Sequence, residues 1–577
     1  MSGMSWRDRA AAKVADTASK IPPPWRLKPE DLQRAKEQRN LTGPFIESFL
    51  SQHEVEIVTL DSCALVEKLA NRALSSLEVS KAYCKTAAIA HQINNCLHEI
   101  FFDQALQRAA ELDRYIEENG KPSGSLHGLP ISLKDQFHVK GVDTTMGYIG
   151  WINTFEGNTD PEKVHKVESQ VVSELLLQGA VVYCKTSLPQ TLMCGETINN
   201  LIGQTLNPIN QGLSCGGSSG GEGALQALGG SSVGLGTDIG GSVRIPAAFC
   251  SLYSLKPTHN RTSYRDVANT NPGQLNYASS VGVMATSVDS LKLVLSALIS
   301  TKPWVRDPNV VPMPWRSDIE KSTLERADSM GKATGKPALK LGILYNDGFM
   351  TPHPPIARGL GMLRDAVKKA GHTIVDWHPP HHQQAAHIHL QFLTSDGGHH
   401  IHKQLDLSGE PLIPPVGEIF KLRPPMSAIT TQDLAIQGRN VCEAYADYWN
   451  SKSADDDAQD VDAFIMPVAP HAAVVPGRYL YTGYTEAINL LDYTAAVIPV
   501  TTADKSVDLV GQGFVPLNDL DAENWAGYDP GVYDGAPVGL QIVGRKYEEE
   551  KVWAIAKILD TILKNYKDSA MEEDITV

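Results

Sequence analysis

The residues that could do chemistry crowd into one stretch, Cys215 to Thr258 (CGGSSGGEGALQALGGSSVGLGTDIGGSVRIPAAFCSLYSLKPT), where paired glycines alternate with small hydroxyls. Glycine at this density suits a backbone that must take unusual φ/ψ values or approach a ligand closely, and successive N–H groups in such turns form a nest for an anion. A serine hydroxyl there becomes a nucleophile if a neighbouring base removes its proton as it attacks. A flexible Gly/Ser linker would not interleave Ala224, Leu225, Ala227, Leu228, Val233 and Leu235, which should bury. Phosphate-loop readings fail on the residues. The Gly-Lys-Ser/Thr of a Walker A loop is absent, and the run from Gly234 to Gly240 misses the dinucleotide fingerprint by one residue. Gly217 to Gly221 does satisfy G-x-S-x-G, but the preceding NPINQGLSC reads as a loop rather than the strand an α/β-hydrolase elbow requires, so that elbow is the runner-up.

Over more than forty contiguous residues this tract resembles the signature of the amidase-signature family. Two further segments are similar to family segments in the same order: Leu126-His-Gly-Leu-Pro-Ile-Ser-Leu-Lys134-Asp-Gln136 upstream, and Pro537-Val-Gly-Leu-Gln-Ile-Val-Gly-Arg545 near the end. The resemblance spans most of the chain after about residue 60. It leans toward fungal acetamidase-like and fatty acid amide hydrolase-like enzymes and away from the A subunit of tRNA-dependent amidotransferases. It implies a three-layer α/β/α sandwich around a central mixed β-sheet. It also implies hydrolysis of carboxylic amides to acid plus ammonia or amine through a serine acyl-enzyme, with no metal and no cofactor. By motif, Ser242 would be the nucleophile, Ser218 the bridging serine with a cis peptide bond, and Lys134 the base. The backbone N–H groups of Ile239, Gly240, Gly241 and Ser242 would form the oxyanion hole, supported by Ser219, Asp238 and Arg244. Leu192, Met193, Cys194 and Gly195 would line the acyl pocket, with Thr144 to Trp151 as a further contributor. A carbamate or ester hydrolase using the same route (urethanase-like) and an amidotransferase subunit are the alternatives.

The residue types suit this chemistry. Lysine acts as a base only when neutral, and its ordinary pKa of ~10.4 must be tuned toward ~7 to 8 by burial and by the absence of an adjacent carboxylate. The apolar run before Lys134 should carry it inward, and Asp135 must then point to the opposite face, as alternation along a strand allows. Ser218 can both donate and accept, so it can pass a proton from Ser242 to Lys134. Cys194 has no histidine or basic residue close in sequence and reads as a small wall residue. Between His378 and His402 eight histidines crowd together (His378, His381, His382, His387, His389, His399, His400, His402), but no His-Glu-x-x-His or Cys pair completes a metal set, so a binuclear metallohydrolase is the weaker, different-class reading. Asp455, Asp456 and Asp457 read as a solvated loop.

The elements that must position these groups are legible as alternation. A capping box of Ser75 and Glu78 predicts a helix, a second follows from about Asp103 to Glu118, and both should cover a sheet. Short apolar runs at Leu129 to Leu133, Ala180 to Cys184, Leu341 to Tyr345, Ala463 to Val468 and Gly539 to Val543 predict strands of an α/β fold. Residues 1–60 read as a helical or irregular surface extension and 61–577 as the catalytic domain, with surface loops near 302–338 and 450–462. A net charge of -15 offers no attraction to nucleic acid or anionic membranes, and no apolar run reaches the ~18 residues of a spanning helix. With no secretory h-region at the start, a cytoplasmic enzyme is expected, acting on a small-molecule amide or carbamate without a nucleic-acid partner; a homodimer is compatible with these observations. The eight scattered cysteines read as reduced and mostly buried.

Overall fold

A computed structural model describes residues 4–274, 276–327, 338–453, 459–511 and 513–575. Asp455 to Asp457, and part of each of the two predicted surface loops, lie outside the described residues. Among the described residues the apolar runs assemble into one eleven-stranded sheet. In chain order its strands are β1 (Leu97–Ile100), β2 (Pro130–Lys134), β3 (Val181–Thr186), β4 (Val233–Asp238), β5 (Tyr253–Lys256), β6 (Ser280–Ala285), β7 (Lys340–Ile343), β8 (Thr373–Asp376), β9 (Ala463–Pro467), β10 (Ala495–Thr502) and β11 (Pro537–Val543). Their spatial order is β1-β3-β2-β4-β6-β5-β10-β11-β9-β7-β8. The sheet is mixed: β2 runs parallel to both β3 and β4, while β4 and β6 pair antiparallel.

Every residue of β2, β3, β4, β6 and β11 is buried, on both faces of the pleat. A sheet buried on both faces must carry helices on both, which is the α/β/α sandwich that the resemblance implies. The Ser75/Glu78 capping box forms and starts the helix Ser76–Asn94, which ends on Asn95 in the left-handed conformation. The next helix, Phe102–Asn119, buries Ala105, Ala109, Leu112 and Ile116 and stops at Gly120 with φ 68°. Ahead of them, residues 4–60 form short helices, of which Trp6–Ser19 is tied down by Lys13: its Nζ lies 2.6 Å from Glu99 and 3.1 Å from Asp143, all three buried. All eight cysteines are free thiols. No described helix is long and apolar enough to cross a membrane.

The layout fixes where chemistry can happen. Parallel strands β2 and β4 end side by side, with Leu133 opposite Leu235, so Lys134 and Thr237 meet at their carboxyl ends. Loops leaving that edge are free to surround a ligand, as in other open α/β sheets.

Candidate active site

Lys134 is the last residue of β2 and is fully buried. Its Nζ donates to Ser218 Oγ at 2.7 Å and to Thr237 Oγ1 at 3.0 Å. Thr237 in turn donates to Gln136 Oε1, so it can only accept from the lysine. Burial, opposed in part by the more distant charges of Asp238 and Glu222, brings the Lys134 amine down to about 7 from an ordinary 10.5. Asp135 points to the other side of the strand, as alternation predicts. There it meets Lys185 Nζ at 2.8 Å and His98 Nδ1 at 2.9 Å, and accepts from the Thr145 hydroxyl at 2.8 Å. Burial works against its charge, but Lys185 and His98 outweigh it and hold the carboxyl below the usual range, so the negative charge beside the lysine in sequence is neutralised away from it.

The Gly217–Ser218 peptide is cis. Ser219 then opens the helix Gly220–Ala227, and its backbone N–H donates to the Ser242 carbonyl at 3.0 Å, tying the two serine-bearing segments together. Glycine is required at the crossing with β4: a Cβ on Gly236 would stand 2.6 Å from Ser219 Oγ. The described residues leading directly into Ser218, 207–217, form no strand, so the elbow geometry of an α/β-hydrolase does not form.

Beyond β4 the chain turns through Ile239 to Val243 around the Asp238 carboxylate. Asp238 accepts from Gly241 N at 2.9 Å, Val243 N at 3.2 Å and Asn489 Nδ2 at 3.0 Å, and holds Arg244 through Nε and Nη2, each at 3.0 Å. Arg244 also reaches Gln541 Oε1 at 2.9 Å, linking the tract to the Pro537–Arg545 segment recognised in the sequence. Gly241 sits at φ 123°, with Thr485 where a Cβ would project. The Gly241 N–H, one of the four expected oxyanion donors, is thus engaged by Asp238. Ile239, Gly240 and Ser242 line the adjoining cavity and Gly241 does not.

That cavity has a volume of about 440 Å³, and Leu192, Met193, Cys194 and Gly195 all lie on its wall. Thr144 to Trp151 do not line it. Thr144 accepts from Lys185 Nζ at 2.7 Å and Thr145 is bound to Asp135, while Met146, Tyr148 and Trp151 are buried in one cluster with the wall residue Leu192, so the segment backs the wall rather than lining the cavity. Burial pushes the Cys194 thiol up to about 12, which suits a wall residue.

Most of the remaining wall was not legible in the sequence. It comes from His387 and Leu390 on the helix His382–Leu393, from Tyr479 and Tyr481, and from Glu486 on the helix Gly483–Leu491. The histidine-rich segment therefore supplies cavity wall. His382 and His389 are buried and held neutral, with burial lowering each to about 4, and among the described residues no three His, Cys, Asp or Glu side chains are grouped to hold a metal ion.

Comparison with known proteins is consistent with this geometry. A family model described as Amidase matches residues 78–553. The chain is 41% identical over 565 residues to an acetamidase of Aspergillus oryzae, covering 98% of this chain and 100% of that protein. It is also 41% identical over 568 residues to an acetamidase of Emericella nidulans, covering 97% and 99%. Among solved structures, a fatty acid amide hydrolase superposes with a TM-score of 0.85 at 31% identity, covering 96% of this chain and 95% of that one.

Proposed function

The chain belongs to the amidase family, a hydrolase acting on amide bonds, and on that premise we propose that it cleaves carboxylic amides to acid plus ammonia or amine through a Ser242–Ser218–Lys134 relay. The observation that carries the reading is the 2.7 Å contact between Lys134 Nζ and Ser218 Oγ, made by a buried amine brought near neutral pH that has no ion-pair partner within 4 Å among the described residues.

Ser242 Oγ attacks the amide carbonyl, its proton passes to Ser218, and Ser218 passes its own to neutral Lys134. The oxyanion that forms is stabilised by the N–H groups of Ile239, Gly240 and Ser242, while Gly241 N–H stays on Asp238 and holds the loop. Collapse expels the amine, which takes the proton back through Ser218; water then attacks the ester of Ser242, giving its proton through Ser218 to Lys134, and that proton returns by the same path to Ser242 Oγ as the acid leaves. Asp238 and Arg244 act by positioning, since their hydrogen bonds go to the loop and to Gln541. Residues 61–577 supply every group in this scheme, which supports assigning the catalytic domain to them and reading 1–60 as an extension.

Ammonia or amine release from a panel of aliphatic and aryl amides tests the scheme. Folded Ser242→Ala and Lys134→Ala should each lose roughly 10⁴-fold or more in kcat. The scheme calls on no metal, so EDTA should leave the wild-type rate unchanged. Full activity in Ser242→Ala would sink it.

A further inference from the structure

Two acidic side chains lie on the cavity wall, and they differ in what they do there. Glu196 spends both oxygens on the turn that follows residue 476, accepting from Gly477 N at 2.9 and 3.1 Å. Glu486 has no such duty. It is 8% exposed, burial pushes it up to about 7, and the Thr482 hydroxyl is the one group among the described residues that acts to lower it; no lysine, arginine or histidine does so. Its Cγ and Oε1 lie 3.4 and 3.7 Å from the position a Cβ would take on Gly240, so it stands beside the loop that carries Ser242.

Tyr479 completes the patch. Its hydroxyl is buried and makes no hydrogen bond among the described residues, and the Glu486 charge acts on it. Its ring reaches this place because residue 195 is glycine: a Cβ there would come within 2.6 Å of two ring carbons. A buried carboxyl without a countercharge and a buried hydroxyl without a partner are both costly, and a ligand that supplies the missing partners recovers that cost. An ammonium group fits both, since it donates charge-assisted bonds to the carboxylate and a further one to the tyrosine oxygen.

We infer that Glu486 and the Tyr479 hydroxyl form a recognition site within the cavity for a positively charged amine on the substrate, so that the enzyme prefers amides bearing an ammonium group near the scissile carbonyl. The inference rests on the cavity being the amide site. Its test compares 4-aminobutanamide with pentanamide, in which a methyl replaces the ammonium at equal length. Wild type should favour the former in kcat/KM by roughly tenfold or more, and Glu486→Gln should lower that ratio by about tenfold, mainly through KM. Tyr479→Phe, which removes only an unpartnered hydroxyl, should lower it less, by about threefold. Calorimetric binding of both amides to Ser242→Ala reads recognition without turnover, so a failed relay and a failed recognition site are told apart. A wild-type ratio at or below one, or a ratio that neither variant moves, would overturn the inference.

Discussion

A lysine amine that hydrogen-bonds a serine at 2.7 Å can take a proton only in its neutral form, and in Lys134 burial brings the balance point to about 7. The rate should follow that proton. Because the base must be deprotonated, kcat/KM is expected to rise with pH through about 7 and to level off above it; a profile flat from pH 5 to 9 would contradict the role. The same burial acts on stability with a definite sign. A lysine whose folded pKa lies below its unfolded value penalises the native state most below the folded pKa, and the penalty fades as pH rises from about 7 toward 10.5. Replacing Lys134 by methionine should therefore abolish amide hydrolysis while leaving the thermal midpoint at pH 6 equal to or above that of the wild type. The expectation that Asp135 faces away was legible from strand alternation alone, whereas its partners Lys185 and His98 were not, because they arrive from β3 and β1.

At the scale of elements, the turn after β4 is constrained from several sides. Gly241 holds φ 123°, its N–H is tied to Asp238, and Thr485 from the helix Gly483–Leu491 fills the space a side chain would need. Gly241→Ala should displace the neighbouring N–H donors and cost roughly 10²- to 10³-fold in kcat, the loss associated with a missing oxyanion donor, with a smaller change in KM; steady-state kinetics on one amide would decide it. The sequence marked this turn as glycine-rich and nest-forming. It could not distribute the N–H groups between loop support and oxyanion, since that depends on where the Asp238 carboxylate lies after Arg244, Gln541 and Asn489 have fixed it.

Across the whole molecule, the first helix is bound to the core through charge. Lys13 sits between Glu99 at the end of β1 and Asp143 in the loop after β2, all three buried. Lys13→Met leaves two carboxylates buried without that cation and should lower stability by about 3 to 5 kcal/mol in urea unfolding. Nothing local in residues 1–60 announces this contact, because its partners lie more than eighty residues downstream. The same division runs through the site. The five strands expected from apolar runs, the two helices after residue 75 and the glycine-rich character of the tract from Cys215 to Thr258 were legible, because periodicity, capping and glycine spacing are properties of neighbouring residues, whereas Leu192 to Gly195 were expected at the pocket by resemblance and do lie on the cavity wall. The segment from Thr144 to Trp151 was placed in the pocket by analogy and does not line it, with Thr144 and Thr145 bound to Lys185 and Asp135 and Met146, Tyr148 and Trp151 packed behind the wall residue Leu192. Tyr479 and Glu486 carried no sequence signal and His387 showed only as one of a crowd of histidines, and all three join Ser242 on the cavity wall only because segments from the second half of the chain pack there. The sequence by itself determined the α/β class of the fold and the family to which the glycine-rich tract points. Only the tertiary structure decided what surrounds a substrate there, since a cavity is bounded by residues distant along the chain whose side-chain directions are set by packing.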